Sequence, residues 1–261
     1  MPLGEYISIV RLAPCSIPND RRQYVALRGF FDGSGKYGPQ YHAITLAGLS
    51  ASETIWPEFE RAWGSALEGL GFSLWHTSTL RKHMADSAFY AAADKLISVI
   101  ADFREAPLVS YRATVLLADY RRAKAEFPSL VPPEALCVDG CIGNLVFPTE
   151  EDIPAILYFD RDEQFKGQIE HIWRQRRKMF DRDWSRQIED ILPTESSRRG
   201  IQAADLLAWF SNTYEVLRRR GEAGMTDLAR HSLYLFFAAY TRYALYDYDQ
   251  IVASHQRHQG A

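Results

Sequence analysis

Cysteine is scarce in this chain: Cys15, Cys137 and Cys141 are the only three in 261 residues, and none forms a Cys-x-x-Cys pair. An odd count excludes a disulfide framework of paired thiols, and the missing second ligand pair excludes a structural zinc knuckle. Reduced thiols in a cytoplasm are the expectation. An excess of charge is lacking too. Thirty Lys and Arg stand against 33 Asp and Glu, a formal net charge of -3, so nucleic acid binding would have to use a local basic patch. No apolar run is long enough to cross a bilayer, since residues 233–245 are interrupted by Thr241 and Arg242, and no basic segment leads into an apolar export signal. Gly33, Ser34, Gly35 and Gly38 are not followed by Lys-Ser or Lys-Thr, which excludes a P-loop. No internal repeat is visible.

What is present is apolar material, 47% of the residues, enough to bury a sizeable core. Residues 24–32 are β-branched, aromatic and aliphatic and read as a strand, Gly33 to Pro39 as a turn, and residues 41–48 as the returning antiparallel strand. Ser52, with Glu53 behind it, predicts a helix start, and Trp56, Phe59, Trp63, Leu67 and Leu70 recur at helical spacing until Gly69 and Gly71. Further along, residues 72–76 predict a short strand, 89–103 a helix, and 108–117 a strand with alternating apolar positions. Prolines punctuate residues 119–154, a helical insertion centred on 133–146. Residues 155–159 read as a buried strand, 165–180 and 201–217 as helices, and 226–246 as a last helix. Strands followed by alternating strands and helices make an α/β domain with a mixed sheet. The expected division is an N-terminal extension over 1–22, the domain over 23–220, and a C-terminal helix and tail over 221–261.

Three aspartates stand at the ends or in the middle of apolar elements. Asp32 ends the first strand, Asp160 ends Ile156-Leu157-Tyr158-Phe159, and Asp205 lies within Ile201-Gln202-Ala203-Ala204-Asp205-Leu206-Leu207. A charge in such a place needs a cation, a hydrogen-bonding shell or another acid beside it. Plainer readings compete. Asp32 could cap its own glycine turn, Asp160 could cap the helix that follows, and Asp205 could be a first-turn acid behind a Ser197 cap. His76 alone reads as a hydrogen-bonded structural histidine, and His171 as an ordinary helix residue.

Four segments occur in a characteristic order: Phe30-Phe31-Asp32-Gly33-Ser34-Gly35, Trp75-His76-Thr77-Ser78-Thr79-Leu80, Tyr158-Phe159-Asp160-Arg161-Asp162-Glu163, and Ser197-Arg198-Arg199-Gly200-Ile201-Gln202-Ala203-Ala204-Asp205-Leu206-Leu207-Ala208. In this the chain resembles the family called domain of unknown function 3800, which is similar to the ribonuclease H superfamily. The resemblance implies a ribonuclease H-like mixed sheet of five strands flanked by helices. It also implies that Asp32, Asp160 and Asp205 meet at one sheet edge to hold Mg2+ or Mn2+, with His76 and Glu163 as a further ligand, proton shuttle or phosphate contact. Relatives usually carry an acid where Gly33 stands, and commonly one where Leu74 stands.

The basic run of Lys166, Arg174, Arg176, Arg177 and Lys178, joined by Arg198 and Arg199, is the candidate phosphate-tracking surface, with a solvated helix face as its competitor. The leading expectation is therefore a metal-dependent phosphodiesterase, most concretely a nuclease acting on DNA or RNA. The alternative is an inactive nucleic-acid-binding or assembly module of the same fold, motivated by Gly33 and Leu74. A third reading makes residues 233–245 a homodimer surface.

Overall fold

The computed structural model describes residues 27–103, 108–146, 154–161, 165–179, 187–220 and 241–259. One sheet organises them. β1 (Leu27–Ser34) and β2 (Ala43–Ser52) form the antiparallel hairpin, and β3 (Val109–Leu116) pairs antiparallel to β2. β4 (Ala155–Asp160) lies parallel to β1, β5 (Ile188–Thr194) parallel to β4, and β6 (Thr241–Tyr246) parallel to β3. The order across the sheet is β5-β4-β1-β2-β3-β6, so β2 alone runs against the others. This is the mixed sheet expected, a hairpin followed by parallel strands, with one strand more than the resemblance implied.

Eight helices flank it among the described residues: α1 (Trp56–Gly69), α2 (Thr77–His83), α3 (Asp86–Asp102), α4 (Leu117–Glu126), α5 (Pro133–Val146), α6 (Phe165–Met179), α7 (Arg199–Arg220) and α8 (Tyr248–Gln259). Alternation along the strands sends neighbours to opposite faces. Phe30 joins a core with Trp56, Phe59, Trp63, Trp75 and Phe89 under α1, α3 and α7. Phe31 joins the other with Ile44, Leu46, Val115, Leu136 and Ile142, beneath α5 and α6. α5 thus helps cover the second face. α7 lies directly on β1, because a Cβ at Gly200 would come within 2.5 Å of the Phe30 ring. No helix among the described residues is long and apolar enough to cross a membrane.

Three expectations are corrected, and one strand is new. Residues 72–76 form no strand, since the Trp75 N–H donates to the Gln202 side chain at 3.1 Å instead of to a neighbouring strand. Ser52 caps nothing: it ends β2 with its hydroxyl 2.8 Å from that of Thr54, while α1 starts behind Ile55 with proline in its first turn. Residues 241–246 are β6 and not helix. Ala244 and Tyr246 pack on the second core while Tyr243 is half exposed, a period of two. β5 has no counterpart in the sequence reading. It is an edge strand with a register shift opposite Ala155 and Ile156, and only Ile188 and Ile191 are buried, so it lacks alternation. Cys15, residues 226–240 of the expected last helix and residues 233–240 of the expected dimer surface lie outside the described residues.

Candidate functional site

The register of the parallel pair sets the first two acids. Phe31 of β1 stands opposite Phe159 of β4, so Asp32 and Asp160 follow side by side at the carboxyl ends of adjacent parallel strands. That edge is where open α/β sheets place ligands. The Oδ1 of Asp32 accepts from the Gly33 N–H at 2.8 Å, a bond between neighbours inside β1. Beyond it, Gly35 has φ of +82° and a Cβ there would meet the Ala43 carbonyl at 2.3 Å, so the turn requires glycine. Asn212 of α7 closes this hairpin mouth by donating to the Ser34 and Ala43 carbonyls, both at 3.1 Å.

The third acid belongs to the same helix. Asp205 lies in the second turn of α7, past the first-turn position that a dipole role would need, and its Oδ2 accepts from the Thr77 N–H at 2.7 Å. Thr77 opens α2, so the aspartate satisfies an N–H that the short helix cannot satisfy itself. Trp75 Nε1 donates to the Thr77 hydroxyl at 2.8 Å, and Gln202 accepts from both Trp63 Nε1 (3.3 Å) and the Trp75 N–H while donating to the Ser197 carbonyl (2.9 Å). His76, between these anchors, is the N-cap of α2 through Nδ1, which accepts from the Thr79 N–H. The helix that follows Asp160, α6, begins five residues later at Phe165.

These elements enclose a cleft of about 610 Å³ lined by Asp32, His76, Asp160 and Asp205 together with Lys36 and Lys82. Burial pushes the Asp205 carboxyl above its ordinary range; the negative charge of Asp160 adds to this, while the Thr77 hydrogen bonds and His76 pull the other way. A buried, proton-hungry carboxylate beside a second one is charge that a cation would relieve, and carboxylate oxygens suit hard divalent ions. The donor chemistry therefore fits Mg2+ or Mn2+. In the spacing seen, no three His, Cys, Asp or Glu side chains gather closely enough to hold an ion among the described residues.

Comparison with known proteins finds distant likeness alone. No protein-family model matches it, and no curated protein does. Among solved structures it is similar to a mutant of Bst-RNase HIII at 16% identity and a TM-score of 0.42, over 75% of this chain and 55% of that one. It is similar also to Bst-RNase HIII in complex with Mn2+, at 16% identity and 0.44, over 89% and 71%. The chain thus spans little more than half the length of the first.

The remaining candidates lie elsewhere. On α6, Arg174 pairs with Glu170 at 3.4 Å, Arg177 lies 5.2 Å from the Trp173 ring centre, and Lys178 is exposed; none of the three lines the cleft. His171 is exposed on the same helix. Arg198 pairs with Glu60 at 3.3 Å, and Arg199 donates to the Glu60 carbonyl, so both tie the start of α7 to α1. Glu163 and the side chains of Lys166 and Arg176 lie outside the described residues. The sequence reading missed Thr77, Gln202 and Asn212 as positioning residues. For Thr77 and Gln202 the signal was present: both sit inside the resembling motifs, next to His76 and in the turn before Asp205.

Proposed function

We propose that the chain is a divalent-metal-dependent phosphodiesterase, most concretely a nuclease, with Asp32, Asp160 and Asp205 as the metal-holding carboxylates. One observation carries the reading: three aspartates from separate parts of the chain, with His76, line a single cleft at the carboxyl edge of the sheet. When bound, magnesium or manganese supplies an activated water and stabilisation of the leaving oxygen. The chain's own part is orientation. α7 carries Asp205, holds the hairpin of Asp32 through Asn212 and holds the loop of His76 through Gln202. Nδ1 of His76 accepts from the Thr79 N–H, which leaves Nε2 as the ring nitrogen open to a phosphate oxygen.

The test is cleavage of single- and double-stranded DNA and RNA with magnesium or manganese, wild type against Asp32→Asn. Loss of this carboxylate is expected to reduce the rate by at least about a hundredfold. Equal rates in both proteins, or no cleavage of any substrate, sinks the proposal. The spacing of the acids favours a second reading, an inactive nucleic-acid-binding module, since Asp32 and Asp205 already accept backbone N–H groups. Binding of nucleic acid without cleavage under every metal condition would select it.

A further inference from the structure

The cleft is lined by charges of two signs. Three carboxylates line it, and two ammonium groups line it from separate elements: Lys36 from the turn between β1 and β2, and Lys82 from the last turn of α2. Both lysines are exposed, and neither makes an ion pair among the described residues. They therefore remain available to an anion in the same space. Three cations of the chain's candidate surface are engaged: Arg174 with Glu170, Arg198 with Glu60, Arg199 with the Glu60 carbonyl.

Both lysines also stand on elements that α7 fixes. Lys36 follows Gly35 in the turn that Asn212 closes, and Lys82 belongs to the helix whose first N–H is held by Asp205. The contacts that place the acids thus place the lysines as well.

We propose that Lys36 and Lys82 hold backbone phosphates of a nucleic-acid strand lying across the cleft, so that the strand follows the cleft and not the basic face of α6. The proposal rests on the nuclease reading for the identity of the polymer. A phosphodiester strand matches the pattern because its anionic groups repeat, so two separated cations take phosphates while the segment between them lies against the acids.

The experiment is fluorescence anisotropy of a labelled single-stranded oligonucleotide with the full chain in EDTA, which blocks cleavage, over a series of salt concentrations. Losing two phosphate contacts lowers the salt slope by about 1.4 and weakens binding at moderate salt by roughly tenfold or more in the double variant Lys36→Ala/Lys82→Ala. Charge reversal at Arg174 and Arg177 is expected to change binding by less than about threefold. Both lysines are exposed, so unchanged melting curves exclude misfolding as the cause. Unchanged binding in the lysine variant, or a greater loss in the α6 variant, overturns this proposal and leaves the nuclease reading standing. A wild type that binds no strand at all in EDTA overturns this proposal and leaves the nuclease reading to the cleavage test.

Discussion

The two faces of the sheet are built from different materials. Under α1, α3 and α7 the core is a run of rings: Phe30 stacks on Tyr158, Trp75 on Phe89 and Phe59 on Trp63, with Trp56 edge-on to Phe30. Under α5 and α6 it is mainly aliphatic, with Cys137 and Cys141 buried and their thiols pushed up by that burial. Rings with N–H edges differ from aliphatic chains in one useful way: they bury area and still demand a hydrogen bond. Trp63 and Trp75 satisfy that demand on Gln202 and Thr77, the groups that fix the loop of His76. Packing and site geometry are thus one structure on the first face and separate on the second.

The largest expected effects test that separation. Trp75→Ala and Phe165→Ala each remove a fully buried ring, one from each face, and each should cost about 3–5 kcal/mol of stability. Trp75→Ala should also abolish whatever cleavage or strand binding the wild type has, because Thr77 loses its indole partner. Phe165→Ala should leave the folded fraction active. Urea denaturation together with activity per folded molecule reads both, and equal specific activities would break the comparison.

A smaller change sharpens it. Gln202→Leu keeps much of the volume but leaves the Trp63 indole and the Trp75 N–H without their acceptor. Two unsatisfied buried donors should cost about 2–4 kcal/mol. Differential hydrogen exchange should show the Trp75 amide opening before the amides of β3. Exchange unchanged at Trp75 would mean that the packing alone holds the loop.

These features were unevenly legible in the sequence. The hairpin, β3, β4, α1, α3, α5, α6 and α7 could be read because each carries a clear period or a run bounded by turn residues. β5 and β6 could not. Both are edge strands with few buried positions, and the residues before β6 suggest helix more strongly than its own six suggest a strand. The acids were legible as anomalies, since Asp32, Asp160 and Asp205 interrupt apolar elements. Their hydrogen bonds were not, because the contact of Asp205 with Thr77 spans 128 residues and depends on how α2 docks on α7. The basic run is visible locally in the sequence; that Lys36 and Lys82 line the cleft is not, because it depends on which elements converge at the sheet edge.

The smallest effect concerns the sign of a pH dependence. Burial raises the folded-state pKa of Asp205 above its unfolded value, so the folded protein binds that proton more readily. The stability this provides is fully present below the unfolded value, near pH 4, and is lost as pH rises through the folded value. At neutral pH the ionised carboxylate is therefore a cost to folding. Asp205→Asn keeps an oxygen for the Thr77 N–H and removes the charge, so in EDTA its Tm should exceed that of the wild type at pH 7. The difference should shrink as the pH is lowered towards about 4. Added magnesium should then narrow the gap at pH 7, because a cation that binds only the folded wild type stabilises it by mass action. A variant no more stable than wild type at neutral pH would show that the carboxylate is already compensated within the fold. In that case its burial would no longer support a cation in the cleft.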